Sequence, residues 1–379
     1  MRVSKFIKRG IKAILPHGIV VAYGRYCKKR KPTNVTAASM FTSRFWPSYL
    51  NYIQHPEMRV TLMEKCPFMS VVSVQGFGYS GSGAVLDLLR EYNCNVVIAD
   101  IDNEGSVAKR PAIGSYEVMF MVAAGGLLEI ERYLDSNNVA SNDALLHRFI
   151  LLVEKSELYQ QVPEVRPYFY EFLSQIMEMC IPQSSRQYFS LHLNFEDNNC
   201  MLFLKKMPIV EYRKICRKLL YSIFAKYKES LYGDILVLDQ FLSDFEFDTK
   251  RNLEYLPELK TIYVYRNLKD VFTFANLCHE EWLPSDINLF VDWCKIKYKN
   301  FNPERMDGSL VVKFEELITN YNKIVSDIEA YLGIVPSCHT MQYTALDPKE
   351  SSKNIGLWKH HPEYTDAYAF IEKDLKRLC

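Results

Sequence analysis

The stretch Ser70-Val-Val-Ser-Val-Gln-Gly-Phe-Gly-Tyr-Ser-Gly-Ser-Gly-Ala84 decides the fold of this chain. Residues 70–75 predict a buried strand, and the segment Val85 to Tyr92 predicts the helix that follows the turn. The glycines at 76, 78, 81 and 83 allow the backbone to adopt positive φ and to approach a ligand closely. Consecutive N–H groups at the helix N-terminus then point at an anion. The stretch therefore predicts a strand, a phosphate-binding loop and a helix.

This loop is a P-loop without its lysine. The triphosphate-binding pattern G-x-x-x-x-G-K-[ST], begun at Gly76, requires Lys at position 82 and Ser or Thr at position 83. The chain has Ser82 and Gly83 instead. Their presence argues against Mg-dependent handling of a β,γ-phosphate and favours a loop that holds a single phosphate-like group. Taken alone, the loop is also compatible with a purely structural turn.

The composition fits a soluble globular protein with a sizeable core, because 48% of the 379 residues are hydrophobic and 24% are charged. The net charge of +1 hides an asymmetry. Residues 1–32 contain ten Lys or Arg and no acid, so the remainder has 36 basic against 45 acidic residues and a net charge of −9. The body is therefore acidic, and no nucleic-acid partner is predicted.

Residues 1–32 form a basic arm whose first part predicts an amphipathic helix. Arg2, Lys5, Arg9 and Lys12 lie opposite apolar residues at helical spacing, which are Val3, Phe6, Ile7, Ile11 and Ile14. Such an arm can hold a protein on an anionic membrane surface, although a helix docked on its own domain is the alternative. A signal peptide is less favoured, since Pro16 breaks the short apolar run. No uninterrupted apolar stretch is long enough to span a bilayer.

The ten cysteines are scattered, with no C-x-x-C pair and no His/Cys grouping at zinc-ligand spacing. We therefore interpret them as buried thiols in a reducing compartment and predict no metal site. This interpretation favours a cytoplasmic protein, and with the basic arm it allows a peripheral position at the inner face of the membrane.

The order of the predicted elements indicates one α/β domain at 69–379, after an irregular lead-in at 33–68. Further strands are predicted at 95–100, 234–239, 261–265 and 309–314, with helices between them. Residues about 125–232 are predicted to be almost wholly helical. They form an insertion between the strands that we expect to bind the acceptor. The sequence thus predicts a P-loop-like three-layer fold, with a central parallel sheet and helices on both faces. Ligands bind such sheets at the carboxyl ends of the strands.

Arg266 directly follows a predicted strand and is a candidate for a second anion site. A guanidinium pairs bidentately with phosphate, and the following helix start at 267–270 supplies further N–H donors. The alternative is a rim arginine paired with Asp270 or Glu316.

Four segments match the motifs of a known family in order. They are Gly78-Tyr-Ser-Gly-Ser-Gly83, Tyr263-Val-Tyr-Arg-Asn-Leu-Lys-Asp-Val271, Val311-Val-Lys-Phe-Glu-Glu-Leu-Ile318 and Gly356-Leu-Trp-Lys359. Together they resemble sulfotransferases that use 3′-phosphoadenosine 5′-phosphosulfate. In that family a K-S-G-T-T loop binds the 5′-phosphosulfate, a Y-x-x-R-N-P-K-D-V segment binds the 3′-phosphate, an E-D-L segment follows a strand, and a G-x-W-K element closes over the nucleotide.

The resemblance implies this donor, no metal, and a donor site made by the loop (Gly78, Tyr79, Ser80, Gly81, Ser82 and Gly83), Arg266, Trp358 and Lys359. The chain departs from the pattern at Tyr79, where the family has Lys or Arg, and at Gly83, which replaces a hydroxyl residue. Another cation must then help, and Lys353, Lys359 or the pair Lys205-Lys206 are the candidates. The family's serine eight residues after the arginine is Phe274 here, with Thr273 one position early.

Two carboxylates are candidates for the base that deprotonates the acceptor. Ser115-Tyr-Glu-Val-Met-Phe120 resembles the K-E-x-x-F-F segment of bacterial glycan sulfotransferases, which implies Glu117 as the base. Asp239, at a strand end where small-molecule sulfotransferases have histidine, is the alternative. The implied acceptor is a hydroxyl or amine of a glycan, such as a capsular polysaccharide or its lipid-linked precursor. A nucleotide or sugar kinase and a non-catalytic nucleotide- or glycan-binding relative are the competing hypotheses.

Overall fold

The structure is a computed structural model that describes residues 44–93, 96–99, 127, 130–131, 134, 149–154, 156–180, 208–230, 233–241, 254–278, 283–304, 306 and 308–379. The basic arm at 1–32, Glu117 and Lys205-Lys206 lie outside the described residues, and the predictions for them stay predictions.

Five parallel strands form one sheet in the order β2-β3-β1-β4-β5. They are β1 (Ser70–Gln75), β2 (Val96–Ala99), β3 (Ile235–Asp239), β4 (Leu259–Tyr265) and β5 (Leu310–Lys313). Every residue of the central strand β1 is buried, as expected of a parallel strand covered on both faces. The loop that follows β1 therefore emerges in the middle of the carboxyl edge of the sheet.

The structure defines the bounds of eleven α-helices among the described residues. They are α1 (Phe45–Gln54), α2 (Ser82–Arg90), α3 (Glu157–Gln161), α4 (Arg166–Cys180), α5 (Ile209–Ser230), α6 (Leu268–Cys278), α7 (Ile287–Lys297), α8 (Phe314–Thr319), α9 (Tyr321–Leu332), α10 (Pro348–Ser351) and α11 (Thr365–Leu375).

Alternate strand residues pack against helices on opposite faces of the sheet. Val72 and Val74 of β1 join a core with α2, α8 and α9. Val71, directly before Val72, joins the core made by α1, α4 and α5 on the other face. On that second face, Tyr263 of β4 packs with α6, α7 and α11. The predicted three-layer α/β fold is confirmed, and α3, α4 and α5 form the helical insertion between β2 and β3.

Helix α1 corrects the prediction of an irregular lead-in at 33–68. Phe45, Tyr49 and Tyr52 are all buried, and their spacing of four and three residues places them on one face of this helix. Pro47 lies in the first turn, where proline is tolerated. The prolines concealed a short aromatic stripe that anchors this segment to α4 through rings such as Tyr170.

Cys338 corrects the prediction that all the cysteines are reduced, because it is disulfide-bonded. The free thiols among the described residues are Cys66, Cys216, Cys278, Cys294 and Cys379. Disulfides persist mainly in oxidising compartments. The cysteine pattern therefore no longer supports a cytoplasmic location. In the part of the chain that the structure describes, no helix has the length and apolar character needed to cross a membrane.

Candidate anion-binding site

The loop after β1 folds as a tight turn that leads directly into α2. Tyr79 and Gly81 both have positive φ, 61° and 92°. The Ser80 amide donates to the Phe77 carbonyl at 2.8 Å, and the Ala84 amide donates to the Gly81 carbonyl at 2.9 Å. The first N–H groups of a helix have no partner within the helix, and they form the positive end of its dipole. The start of α2 therefore supplies donors for an anion.

Two glycines of this loop leave little room for a Cβ. A Cβ at Gly76 would lie 2.0 Å from the Ser80 Oγ. A Cβ at Gly81 would lie 2.5 Å from a ring carbon of Phe314 in α8, at a φ that disfavours other residues. The glycines thus let the loop close on itself and on α8.

Ser80 presents a buried hydroxyl at the centre of the loop. The residue is 0% exposed, and its Oγ has no hydrogen-bond partner among the described residues. Buried polar groups are almost always paired, and an unpaired one costs about 1–3 kcal/mol. A ligand oxygen that accepts from this hydroxyl would remove that cost, so Ser80 fits the predicted phosphate contact. Ser82 is also buried, whereas Gly78 and Gly83 are half-buried.

Arg266 joins the loop to a segment near the C-terminus. It follows β4, is 4% exposed, and its Nη1 donates to the Tyr79 carbonyl at 3.4 Å. Its Nη2 donates to the Asn354 carbonyl, and its Nε has no partner in the described part of the chain. The rings of Phe274 and Phe314 lie 5.8 and 5.2 Å from the guanidinium carbon.

Burial lowers the pKa of Arg266, and the nearby carboxylates of Asp270 and Glu315 oppose this shift. The guanidinium nevertheless stays charged at neutral pH. A buried cation with an unpaired N–H beside a glycine loop is an arrangement that fits an anionic ligand.

Residues 354–358, which we call the strap, are fixed by the helix that follows Arg266. Asp270, 1% exposed, accepts from the Gly356 amide at 2.8 Å through Oδ2 and from the Trp358 amide at 3.1 Å through Oδ1. Together with the bond from Arg266 to Asn354, this anchors the strap beside the loop. Sequence reasoning treated Asp270 only as a possible partner of Arg266, although it lies within the quoted motif.

Thr273 does not direct its hydroxyl to Arg266 or to the loop. Its Oγ1 donates to the Lys269 carbonyl at 2.7 Å and lies 2.8 Å from the Tyr368 hydroxyl. Phe274, at the position of the family's serine, instead places its ring 4.8 Å from that of Tyr79 and against Arg266.

Lys353 and Lys359, the predicted cations on either side of the strap, take no part in the contacts just described. Lys353 is exposed and forms an ion pair with Glu350 at 2.5 Å. Lys359 is exposed, and its Nζ lies 5.9 Å from the centre of the Trp358 ring. Neither forms a hydrogen bond with the loop among the described residues.

Asp239 lies at the same edge of the sheet as the glycine loop. It is the last residue of β3 and is in register with Val74, directly before the end of β1. Of the two candidate bases, Asp239 is the one within the described residues. In that described part, no group of three or more His, Cys, Asp or Glu could hold a metal ion.

The fold is P-loop-like α/β, and its glycine loop is a candidate site for an oxyanion. No protein-family model matches the chain, and no curated protein matches it significantly. Two solved structures are similar. Sulfotransferase STF1 from Mycobacterium tuberculosis H37Rv is 12% identical with a TM-score of 0.31, covering 82% of this chain and 81% of that one. Sulfotransferase STF9 from Mycobacterium avium is 12% identical with a TM-score of 0.33, covering 86% and 81%. Similarity this low carries no argument about the activity of this chain.

Proposed function

We propose that the chain is a sulfotransferase that moves a sulfuryl group from 3′-phosphoadenosine 5′-phosphosulfate to a hydroxyl of a glycan. The observation that carries the proposal is the convergence of three distant segments on one buried, partly unpaired polar site. The guanidinium of Arg266 bonds to Tyr79, 187 residues earlier, and to Asn354, 88 residues later. These are the loop, the arginine segment and the late element on which the resemblance rests.

In this proposal the loop and Arg266 divide the donor between them. The N–H groups at the start of α2 and the Ser80 hydroxyl hold the 5′-phosphosulfate, while Arg266 holds the 3′-phosphate. The acceptor oxygen forms a bond to sulfur as the bond from sulfur to the phosphate oxygen breaks, and 3′,5′-adenosine bisphosphate leaves. Catalysis of this kind depends on positioning and on charge stabilisation. It needs no covalent intermediate.

The proton of the acceptor hydroxyl passes to a carboxylate. Glu117 remains our first candidate on the resemblance, and Asp239 is supported by its place at the loop edge of the sheet. A Glu117→Gln variant that keeps donor binding and loses turnover would assign the base to Glu117. Full turnover in that variant, with loss in Asp239→Asn, would assign it to Asp239.

The acidic body and the basic arm at 1–32 support an acceptor presented at an anionic membrane, such as a lipid-linked glycan. We propose that it binds against the helical insertion. Because Cys338 is disulfide-bonded, we propose contact with an anionic membrane surface without assigning it to the cytoplasmic side. Deletion of residues 1–32 should abolish partition to anionic liposomes, and unchanged partition would remove the membrane from the proposal.

The proposal is tested by calorimetric titration of the purified full chain with 3′,5′-adenosine bisphosphate and with AMP. Because the 3′-phosphate adds at least one charge-assisted bond to Arg266, we expect the bisphosphate to bind about tenfold or more tightly. Equal affinity for the two nucleotides would contradict the two-phosphate site, and tight Mg-dependent ATP binding would favour a kinase. A chain that binds bisphosphate more tightly than AMP but releases no bisphosphate from the sulfate donor in the presence of glycans would be a non-catalytic relative. The absence of the loop lysine is consistent with that outcome.

A further inference from the structure

A separate cavity of about 310 Å³ lies at the other end of the strap. Its walls come from α6, from Trp358 and its neighbour Lys359, and from α11. No residue of the glycine loop is among the described residues that line it. The cavity is therefore separate from the glycine loop and from Arg266, although Trp358 and Lys359, which the resemblance also places in the donor site, line it.

Lys269 places a buried ammonium in the wall of this cavity. The residue is 6% exposed, and its Nζ lies 4.0 Å from the centre of the Trp358 ring. Its ion-pair partner, Glu372 at 3.2 Å, has a side chain that is 61% exposed, so water screens the pair. Burying an ammonium is costly, and a screened carboxylate offsets only part of that cost. One of the three N–H donors of Lys269 suffices for Glu372.

Lys359 brings a second ammonium to the same indole, at 5.9 Å from its centre. It forms no ion pair with any residue that the structure describes. Lys269, Lys359 and Glu372 are the charged residues of the lining, so the cavity has a net charge of +1.

The hydroxyl groups of the cavity already donate hydrogen bonds within the protein. Thr365 donates to the Pro362 carbonyl at 2.7 Å. Thr273 donates to the Lys269 carbonyl, so the hydrogen bond of 2.8 Å between Thr273 and Tyr368 uses the proton of Tyr368. The side-chain donors left to a ligand are the two ammonium groups and the indole N–H of Trp358. Because both charged donors are cations, the site favours a negatively charged group over a neutral sugar hydroxyl.

We propose that this cavity binds an oxyanion group, a sulfate or phosphate monoester, between Lys269 and Lys359. Such a group could belong to a sulfated sugar or to a sugar phosphate, and the two share the chemistry that the cavity recognises. None of its contacts involves the loop, Arg266 or a candidate base. Because the resemblance also gives Lys359 to the donor site, the titrations are made with the donor site occupied by bisphosphate and again without it, so that failure of this proposal and failure of the proposed function are distinguishable.

The test is calorimetric titration of the full chain, already saturated with 3′,5′-adenosine bisphosphate, with three probes: N-acetylglucosamine 6-sulfate, N-acetylglucosamine 6-phosphate and N-acetylglucosamine. We expect either or both esters to bind and the neutral sugar not to bind. The preferred ester identifies the source of the oxyanion. Binding of the neutral sugar as tightly as the esters, or no binding of either ester, would overturn the proposal.

Variants locate the binding. We expect Lys269→Met and Lys359→Met each to weaken ester binding about tenfold or more, because each removes a charged donor. Lys359 is exposed, so its substitution tests the site even if Lys269→Met fails to fold. Lys373→Met, an exposed lysine of α11 outside the cavity lining, is the matched control and should bind as the wild type does. Wild-type affinity in Lys359→Met would place the ligand elsewhere. The same titrations without bisphosphate keep the test independent of the proposed donor site.

Discussion

Asp270→Asn is the substitution that probes the strap with the least change of shape. Each carboxylate oxygen of Asp270 accepts from one strap amide, at 2.8 and 3.1 Å. Asparagine offers one acceptor oxygen, and its NH₂ group would face the other amide. One charge-assisted hydrogen bond is lost, worth about 1.5–3 kcal/mol. The anchored strap should therefore be disfavoured by roughly 10- to 100-fold.

The assay is amide hydrogen exchange at Gly356 and Trp358, together with the affinity for 3′,5′-adenosine bisphosphate. We expect both amides to exchange faster by about that factor. We also expect bisphosphate affinity to fall, because the strap and Asp270 both support Arg266. Asp327→Asn, which changes an exposed carboxylate of α9, should leave both measurements unchanged.

Two results would refute the reasoning. Wild-type exchange at Gly356 and Trp358 in a folded Asp270→Asn protein would show that Asp270 does not anchor the strap. Faster exchange with unchanged bisphosphate affinity would show that Asp270 anchors the strap but that the strap does not contribute to bisphosphate binding.

Four further predictions follow from the same contacts. Gly81→Ala should lower the free energy of unfolding by roughly 2–4 kcal/mol in urea titrations, because its Cβ would lie 2.5 Å from Phe314 of α8 at a φ of 92°. Gly308→Ala is the control: it has a φ of 72° but open space around it, and it should lower the free energy of unfolding by only about 1 kcal/mol. Arg266→Lys should weaken bisphosphate binding in calorimetry more than AMP binding; equal losses would contradict the 3′-phosphate role. Burial raises the pKa of Tyr49 from 10.0 to about 12. The stability that its neutral form contributes is therefore complete below pH 10 and is lost as the pH rises towards 12. Tyr49→Phe should reduce this loss of stability at alkaline pH in unfolding measurements. Dithiothreitol should lower the unfolding temperature of the wild type but not of Cys338→Ala, and an equal effect on both would contradict a stabilising disulfide at this position.

The sheet and its loop could be predicted because their signals are local. Buried parallel strands are short apolar runs, and the predicted strands at 95–100, 234–239, 261–265 and 309–314 each overlap an observed strand within two residues at either end. The loop after β1 is specified by its own glycines, two of which lie where a Cβ would meet neighbouring atoms closely.

The remaining features could not be predicted because they depend on contacts between distant segments. Asp270 acquires its partners from amides 86 and 88 residues later, and nothing in its own neighbourhood indicates which ones. Cys338 is not in a spacing pattern, so only the folded chain distinguishes it from the free thiols. Helix α1 contains Pro47, and its buried face is made of aromatic residues. The proline made the helical spacing of these residues hard to recognise in the sequence.

The missing loop lysine now has a physical context. The guanidinium of Arg266 has five N–H donors. Its Nη atoms donate to the carbonyls of Tyr79 and Asn354, and its Nε has no partner within the described residues. A phosphate can therefore bind along the Nε edge without displacing the strap, so that donor and strap reinforce each other. One guanidinium offsets the charge of one phosphate. In the proposed reaction the sulfate-bearing phosphate would depend on backbone N–H groups and on the dipole of α2, and the close approach of the backbone at Gly76 and Gly81 suits that contact.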